Sequence, residues 1–367
     1  MIKIHGDQAG SGLKGHNMNK IPVSILGATG AVGQRFVEML VNHPYFEIVA
    51  LTGSERSTGK TYGVGCNWVL SGSMPEKVRD MLIQPTNTDL PGKVAFSALP
   101  APIAREWEPQ LAAAGYAVCS NASALRQTPG VPLLIPEINY DHLAMIPLQH
   151  SQLGWKGLAV TSPNCTTNGI AMTLKPLDDA FGVEAVFVST MQAISGAGYP
   201  GLASLDILDN VIPFINGEEE KIQAETNLLL GKMVAGERVA GNIQISAHAN
   251  RVPVFDGHTI ALSIKFRNKP SEEDAIRVLE DFRGPVEVQQ MPTAPAQPII
   301  VRRELDRPQP RRDRDTGNGM SISVGRIRPC NLFDLRMVSV VHNTVRGAAG
   351  GSVLNAELLY AKGMLTE

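Results

Sequence analysis

No apolar run in this 367-residue sequence approaches the roughly 18 consecutive residues that a membrane span needs, so nothing points to insertion in a bilayer. Cysteine is sparse. Cys66, Cys119, Cys165 and Cys330 are the only four, far apart and without the paired spacing of a zinc site or a disulfide framework. The eight histidines also lack metal-ligand spacing, so no metal is expected, and a reducing, cytoplasmic setting fits best. An excess of one charge is missing too: 33 basic and 35 acidic residues leave a formal net charge of -2, which gives no global attraction to nucleic acid or acidic membranes. Internal repeats are absent. The expected partners are small molecules or copies of the chain itself.

The composition that remains, 43% hydrophobic and 19% charged, is that of an ordinary globular protein, and the length exceeds what one core supports. Two domains are expected. Residues 1–17, rich in Gly, His and Lys, read as a disordered extension. From Ile21 onward, apolar runs at Pro22–Leu26, Ile48–Thr52, Val94–Leu99 and Ala117–Cys119 alternate with helical patterns at Val32–Leu40 and Pro102–Ala114. That alternation predicts an α/β domain whose parallel sheet is covered on both faces. Beyond Cys165, the runs Val183–Met191, Ile243–Asn250, Thr259–Phe266 and Met337–Val341 with a helix at Glu272–Phe282 predict an α+β domain. Pro292–Pro298 and the stretch Asp306–Asp315, which mixes four arginines with three aspartates, read as loops. The second carries nearly balanced charge and no aromatic residue, so a solvated or interface loop is expected there and not a nucleic-acid patch.

The first strand runs into Gly27-Ala28-Thr29-Gly30-Ala31-Val32-Gly33 and then an amphipathic helix, the strand-turn-helix setting of a dinucleotide phosphate site. Gly27 permits the tight turn, Gly30 close approach of a pyrophosphate and Gly33 close packing of helix on strand. The spacing is one residue off the commonest fingerprint. At the end of the second strand, Ser54, Arg56 and Ser57 suit a 2′-phosphate, while Glu55 suits a ribose hydroxyl. The balance favours NADP over NAD.

Ser162-Pro163-Asn164-Cys165-Thr166-Thr167-Asn168 places a cysteine after a proline-stiffened approach and before a helical apolar stretch. A thiolate at a helix start is stabilised by unpaired N–H groups, which also suit an oxyanion. A buried structural cysteine is the plain alternative. An acid or base is needed beside such a nucleophile, and His258, after the Asp256-Gly257 turn at the mouth of a strand, is the candidate. Arg251 could clamp a carboxylate or simply pair with a neighbouring acid. Gln192 could orient an acyl group, and Ser195–Gly198 could bring backbone close to a cofactor. Glu218 and Lys221 lie one turn apart at the start of a helix.

These residues resemble the aspartate-semialdehyde dehydrogenases, the archaeal and fungal branch more than the Gram-negative one. Gly27–Gly33, Pro163–Thr167, Met191–Gly198, Asn210–Lys221, Arg251–Thr259, Arg307–Arg314 and His342–Glu357 fall in the family's order and spacing. The resemblance implies a Rossmann-type dinucleotide-binding domain over 18–163, completed by a returning C-terminal helix within 343–367, and a catalytic and dimerisation domain over 164–342. It implies that Cys165 is the nucleophile, His258 the acid/base, Gln192 the residue positioning a thioester and Asn164 the one flanking the oxyanion. Arg251 and Glu218 would grip the amino-acid end of the substrate, and Arg126 and Lys221 its phosphate. NADP would contact Gly27, Ala28, Thr29, Gly30, Ala31, Val32, Ser54, Arg56, Ser57, Ser195, Gly196 and Asn355, and the assembly would be a homodimer or a dimer of dimers. An acyl-CoA reductase on the same scaffold would keep Cys165 and His258 but not need Glu218, Lys221, Arg126 and Arg251 together. N-acetylglutamyl-phosphate reductases fit the motifs less well, likeness to glyceraldehyde-phosphate dehydrogenases is local, and a dinucleotide sensor would not need the full set of reactive residues.

Overall fold

The computed structural model describes residues 20–365, so the expectation for residues 1–17 lies outside the described residues. Fourteen strands are described. Those of the first half are β1 (Ile21–Leu26), β2 (Phe46–Thr52), β3 (Ile83–Gln84), β4 (Val94–Ser97), β5 (Ala117–Ser120) and β6 (Leu158–Thr161). They form one parallel sheet in the order β3-β2-β1-β4-β5-β6, the doubly wound arrangement in which ligands bind where the order reverses at the carboxyl ends of the strands. Every residue of β4, β5 and β6 is buried, as continuous apolar runs covered on both faces must be. The strands β3 and β6 carry no expectation from the sequence: β3 is two residues long, and β6 merges into the Ser162-Pro163 approach.

The second half contributes β7 (Val183–Gln192), β8 (Lys232–Val234), β9 (Glu237–Val239), β10 (Gln244–Arg251), β11 (His258–Phe266), β12 (Ile299–Arg302), β13 (Ile322–Pro329) and β14 (Leu335–Val341). Six of these build a mixed sheet, β10-β7-β11-β14-β13-β12, and β8 pairs only with β9. Along β11 buried residues alternate with less buried ones, so one face lies in a core. That core takes Ile170, Leu174 and Leu177 from helix Cys165–Phe181, Ile222 and Leu229 from helix Glu218–Leu229, and Ala275 and Leu279 from helix Glu272–Asp281.

Helix Gly350–Ala361 is buried from Gly350 to Leu359 and packs Val353, Leu354, Leu358 and Leu359 against Ile25, Phe36 and Phe96 of the first core. With Ser352, Asn355 and Glu357 hydrogen-bonded inside the protein, the mostly apolar helix can be enclosed on all sides, and it packs on the first sheet. The Asp306–Asp315 loop departs from a solvated reading. Asp313 is fully buried, pairs with Arg302 at 2.8 Å, and binds Arg307 Nε at 2.7 Å. Two arginines around one enclosed carboxylate fix the loop, and Arg314 ties it to the Asp256 carbonyl at 2.9 Å, beside His258.

Candidate active site

Cys165 is the first residue of its helix. Asn164 caps that helix: its Oδ1 accepts from the backbone N–H of Thr166 at 2.9 Å and of Thr167 at 3.1 Å, while its Nδ2 donates to both oxygens of Glu218. The side-chain amide of Asn164 is therefore engaged at both ends, and its backbone N–H donates to Glu225 at 2.6 Å. The donor left over at the helix start is the Cys165 N–H, which has no intrahelical acceptor. Gly347 closes the site from behind: a Cβ there would stand 2.6 Å from Cys165 Cβ, so only glycine allows the two segments to approach this closely.

The register of the second sheet brings His258 to the sulfur. β11 runs antiparallel to β7 with Thr259 opposite Met191, so His258 lies beside the carboxyl end of β7, where Gln192 and Ala193 follow. His258 Nε2 is 3.1 Å from Cys165 Sγ, and Nδ1 accepts from the Ala193 N–H at 3.0 Å. A nitrogen that accepts a backbone N–H carries no proton, so the neutral ring holds its hydrogen on Nε2, towards the sulfur. Burial, aided by the charges of Arg251 and His342, pushes the imidazole down to about 3. Burial and the Glu218 carboxylate push the thiol up to about 12 against the opposing pull of Arg126 and Arg251. Cys165 keeps partial exposure as a residue, yet protein encloses its sulfur closely enough for desolvation to dominate. Between those values the resting pair is thiol and neutral imidazole.

Polar residues surround this pair. Gln192, at 1% exposure, donates Nε2 to Glu218 Oε1 at 2.9 Å, and Thr166 Oγ1 donates to the same oxygen at 3.2 Å. Among the described residues Glu218 Oε2 receives only Asn164, which leaves it capacity for a further donor such as an ammonium. Arg251 uses Nη1 on the Ala193 carbonyl at 2.7 Å, and its other nitrogens have no protein partner among the described residues, so it can still take a carboxylate. Arg126 pairs with Glu225 at 2.9 Å and with the Asn121 carbonyl at 2.8 Å, and its buried Nε has no partner among the described residues. Lys221 lies half-buried in the first turn of helix Glu218–Leu229, with no side-chain bond among the described residues. Sequence reasoning missed Glu225, although it lies seven residues after Glu218 on one helix face. It also missed the buried Arg346–Glu137 pair, Nη2 to Oε2 at 2.9 Å, which reaches Asn168 of the Cys165 helix through Arg346 Nε at 3.0 Å.

On the first sheet, Gly27 has φ +71°, and a Cβ on Gly33 would come 2.2 Å from the Gly27 carbonyl oxygen, so the strand-turn-helix packs as a phosphate-binding turn does. A cleft of about 690 Å³ continues past it, lined by Thr29, Gly30, Ser54, Glu55, Arg56, Thr58, Ile103 and Trp107 among others. Arg56 is exposed and has no side-chain partner there among the described residues. Ser57 differs from its neighbours: it is buried, and its hydroxyl donates to the Ser54 carbonyl at 3.0 Å. Ala31 and Ser195 both line a second cleft, and Gly196 lies against Arg251 and His258. Ser195 Oγ accepts from Asn343 at 2.7 Å. Ala28 is buried and Val32 half-buried. Asn355 is fully buried and donates to Ser162 Oγ at 3.2 Å, and its Oδ1 has no partner among the described residues. Among the described residues no cluster of His, Cys, Asp and Glu could hold a metal, and no helix is long and apolar enough to cross a membrane.

Comparison with known proteins gives concordant results. Residues 22–146 match the semialdehyde dehydrogenase NAD binding domain, and residues 174–346 match the semialdehyde dehydrogenase dimerisation domain. The chain is 50% identical over 343 residues to the aspartate-semialdehyde dehydrogenase of Methanothermobacter thermautotrophicus, covering 92% of this chain and 99% of that one. It is 44% identical over 359 residues to that of Cryptococcus neoformans, covering 94% and 98%. Among solved structures, the Candida albicans aspartate semialdehyde dehydrogenase with NADP aligns with a TM-score of 0.87 at 40% identity, over 95% of this chain and 100% of that one.

Proposed function

The chain belongs to the aspartate-semialdehyde dehydrogenase family, and from that premise we propose that it performs the NADPH-dependent reductive dephosphorylation of L-aspartyl 4-phosphate to L-aspartate 4-semialdehyde through a thioester on Cys165. The observation that carries the reading is the Cys165–His258 contact at 3.1 Å, set among Glu218, Arg251 and Arg126. The cofactor is NADP. The Gly27–Val32 turn, Ser54 and Arg56 would hold its phosphates, with Ser195, Gly196 and Asn355 towards the reacting end; Arg56, a cation lining the cleft, fits a 2′-phosphate, while Glu55 beside it fits less well. Bound there, NADPH supplies the hydride.

The chain's own residues do the rest. Arg251 holds the α-carboxylate and Glu218 Oε2 the ammonium, which orients the acyl carbon over Cys165. The sulfur attacks that carbon, the Cys165 N–H receives the developing oxyanion, and as the C–O bond to phosphate breaks the thiol proton leaves on the phosphate oxygen. Arg126 and Lys221 neutralise the departing phosphate. Gln192, tethered to Glu218, keeps the thioester in place. His258 then gives the proton on Nε2 to the oxygen of the tetrahedral adduct, takes it back as the carbonyl re-forms and the C–S bond breaks, and returns it to the departing sulfur, so that the aldehyde leaves and Cys165 is again a thiol.

The first domain is assigned to 18–163 with 343–367 and the second to 164–342, a division supported by helix Gly350–Ala361 in the first core. A homodimer formed through the second domain is supported by the matched dimerisation domain and by Tyr199, Leu205, Leu208, Val211 and Phe214, all large, apolar and exposed along one segment. Closed symmetric pairs are the usual outcome of such a patch, and a cytoplasmic location agrees with four unpaired cysteines. The test is oxidation of L-aspartate 4-semialdehyde by NADP with and without phosphate. A rate that requires phosphate is expected; a rate that requires coenzyme A instead would assign an acyl-CoA reductase.

A further inference from the structure

We propose that Glu225 is a positioning residue that ties the Arg126 phosphate grip to the start of the Cys165 helix, an inference that rests on the role given to Arg126 above. Glu225 is 2% exposed, and its two oxygens have different duties. Oε1 accepts from Arg126 Nη1 at 2.9 Å, and Oε2 accepts from the backbone N–H of Asn164 at 2.6 Å. Asn164 caps the helix on which Cys165 is the first residue, so one carboxylate fixes both the guanidinium and the turn that presents the sulfur. Without it, Arg126 would be anchored only through Nη2 on the Asn121 carbonyl, and its plane would be free to swing about that bond. With it, the orientation of the guanidinium is set by two bonds, and the buried Nε is a donor without a partner among the described residues.

Sequence spacing makes the link possible. Glu218 and Glu225, two turns apart on helix Glu218–Leu229, both reach Asn164, the first through the side-chain amide and the second through the backbone. Glu218 serves the catalytic side of the cap, Glu225 the phosphate side. An ion pair buried this deeply is weak evidence for stability, because removing two charges from water costs about as much as their attraction returns. Its geometric consequence is more specific: a displacement of Arg126 and a displacement of the nucleophile's helix cap become one event.

Glutamine separates the two duties. It has a single acceptor oxygen, so it can serve Asn164 or Arg126 but opposes the other with its own NH2 group. Steady-state oxidation of L-aspartate 4-semialdehyde with NADP and varied phosphate is compared for wild type, Glu225→Gln, Arg126→Lys and the double variant. The expected result is a phosphate KM raised about tenfold in Glu225→Gln, with the KM for NADP unchanged and the double variant no worse than Arg126→Lys alone. Glu225→Asp, which keeps the charge but draws it back by one methylene, should shift the same constant in the same direction and serves where glutamine impairs folding. A phosphate KM that stays within about twofold of wild type, or additive losses in the double variant, would overturn the inference alone. If the wild-type rate itself ignores phosphate, the role of Arg126 falls first, and the inference falls with it.

Discussion

Ala193 donates its backbone N–H to Nδ1 of His258 at 3.0 Å and so decides which ring nitrogen carries the proton. The other nitrogen, Nε2, is left as a donor 3.1 Å from Cys165 Sγ. That geometry is what the proposed mechanism requires of His258 as the acid for an oxygen on the carbon bonded to sulfur. Burial, with the charges of Arg251 and His342, holds its pKa near 3, and protonating Nδ1 as well would break the contact with Ala193. His258→Ala should lower kcat by about 10² to 10⁴-fold while leaving NADP affinity within about twofold, checked by steady-state rates and by quenching of cofactor fluorescence on binding.

The free enzyme should alkylate slowly. With the thiol at about 12 and the imidazole at about 3, iodoacetamide reacts with a neutral pair over the working range, and the rate at Cys165 should climb as pH rises towards 12. Glu218 disfavours the thiolate, so Glu218→Gln should move the whole profile to lower pH; Arg251 favours it, so Arg251→Gln should move it higher. Opposite displacements would refute this electrostatic picture.

Glu108 offers a pH test of stability. It is fully buried, donates nothing, and receives Ser120 Oγ at 2.6 Å; burial raises its carboxyl to about 7 against the lowering effect of Ser120, Ser97 and Arg126. A group raised in the folded state binds its proton more tightly there, so its contribution is complete below the ordinary value of 4.5 and is lost as pH rises through 7. In urea titrations, the stability of the wild type relative to Glu108→Gln should therefore decline from pH 4.5 to 8. A constant difference would show that Glu108 does not titrate in that window.

Much of this was legible in the sequence. The strands β1, β2, β4 and β5 announced themselves as apolar runs ending in turn residues, and Pro163 and the Asp256-Gly257 turn located Cys165 and His258 at element ends. β13 did not, because Arg326 takes a positive φ and the ladder shifts register between Gly325 and Arg328, which breaks the alternation. Contacts made by backbone are silent in composition, and the Ala193 N–H is one of them. Glu137 and Arg346 lie 209 positions apart, so nothing local relates them before the chain folds.

That pair carries a prediction of its own. Glu137 and Arg346 are 3% and 1% exposed, and removing the carboxylate strands a charged guanidinium in the interior. Glu137→Ala should cost about 3 to 5 kcal/mol of stability, seen as a lowered midpoint of denaturation. Since Arg346 also holds Asn168 on the Cys165 helix, activity should fall even where the variant remains folded.

Gly347 tests how closely the nucleophile is placed. The β-carbon of alanine at 347 would stand 2.6 Å from Cys165 Cβ and 2.9 Å from its Cα, so the helix start must shift. Gly347→Ala should reduce kcat by about a hundredfold, the usual consequence of moving a reacting group by an ångström, with little change in cofactor binding. Wild-type turnover in this variant would mean that the helix start tolerates displacement.

The covalent role of Cys165 is tested most directly by a single turnover without phosphate. Enzyme is mixed with NADP and L-aspartate 4-semialdehyde, reduced cofactor is followed by absorbance, and the protein is then digested and weighed. The expected result is a burst of one reduced cofactor per site, an acyl group on the peptide that contains Cys165, and loss of both in Cys165→Ala. A burst that persists in Cys165→Ala, or steady turnover that needs no phosphate, would contradict the thioester.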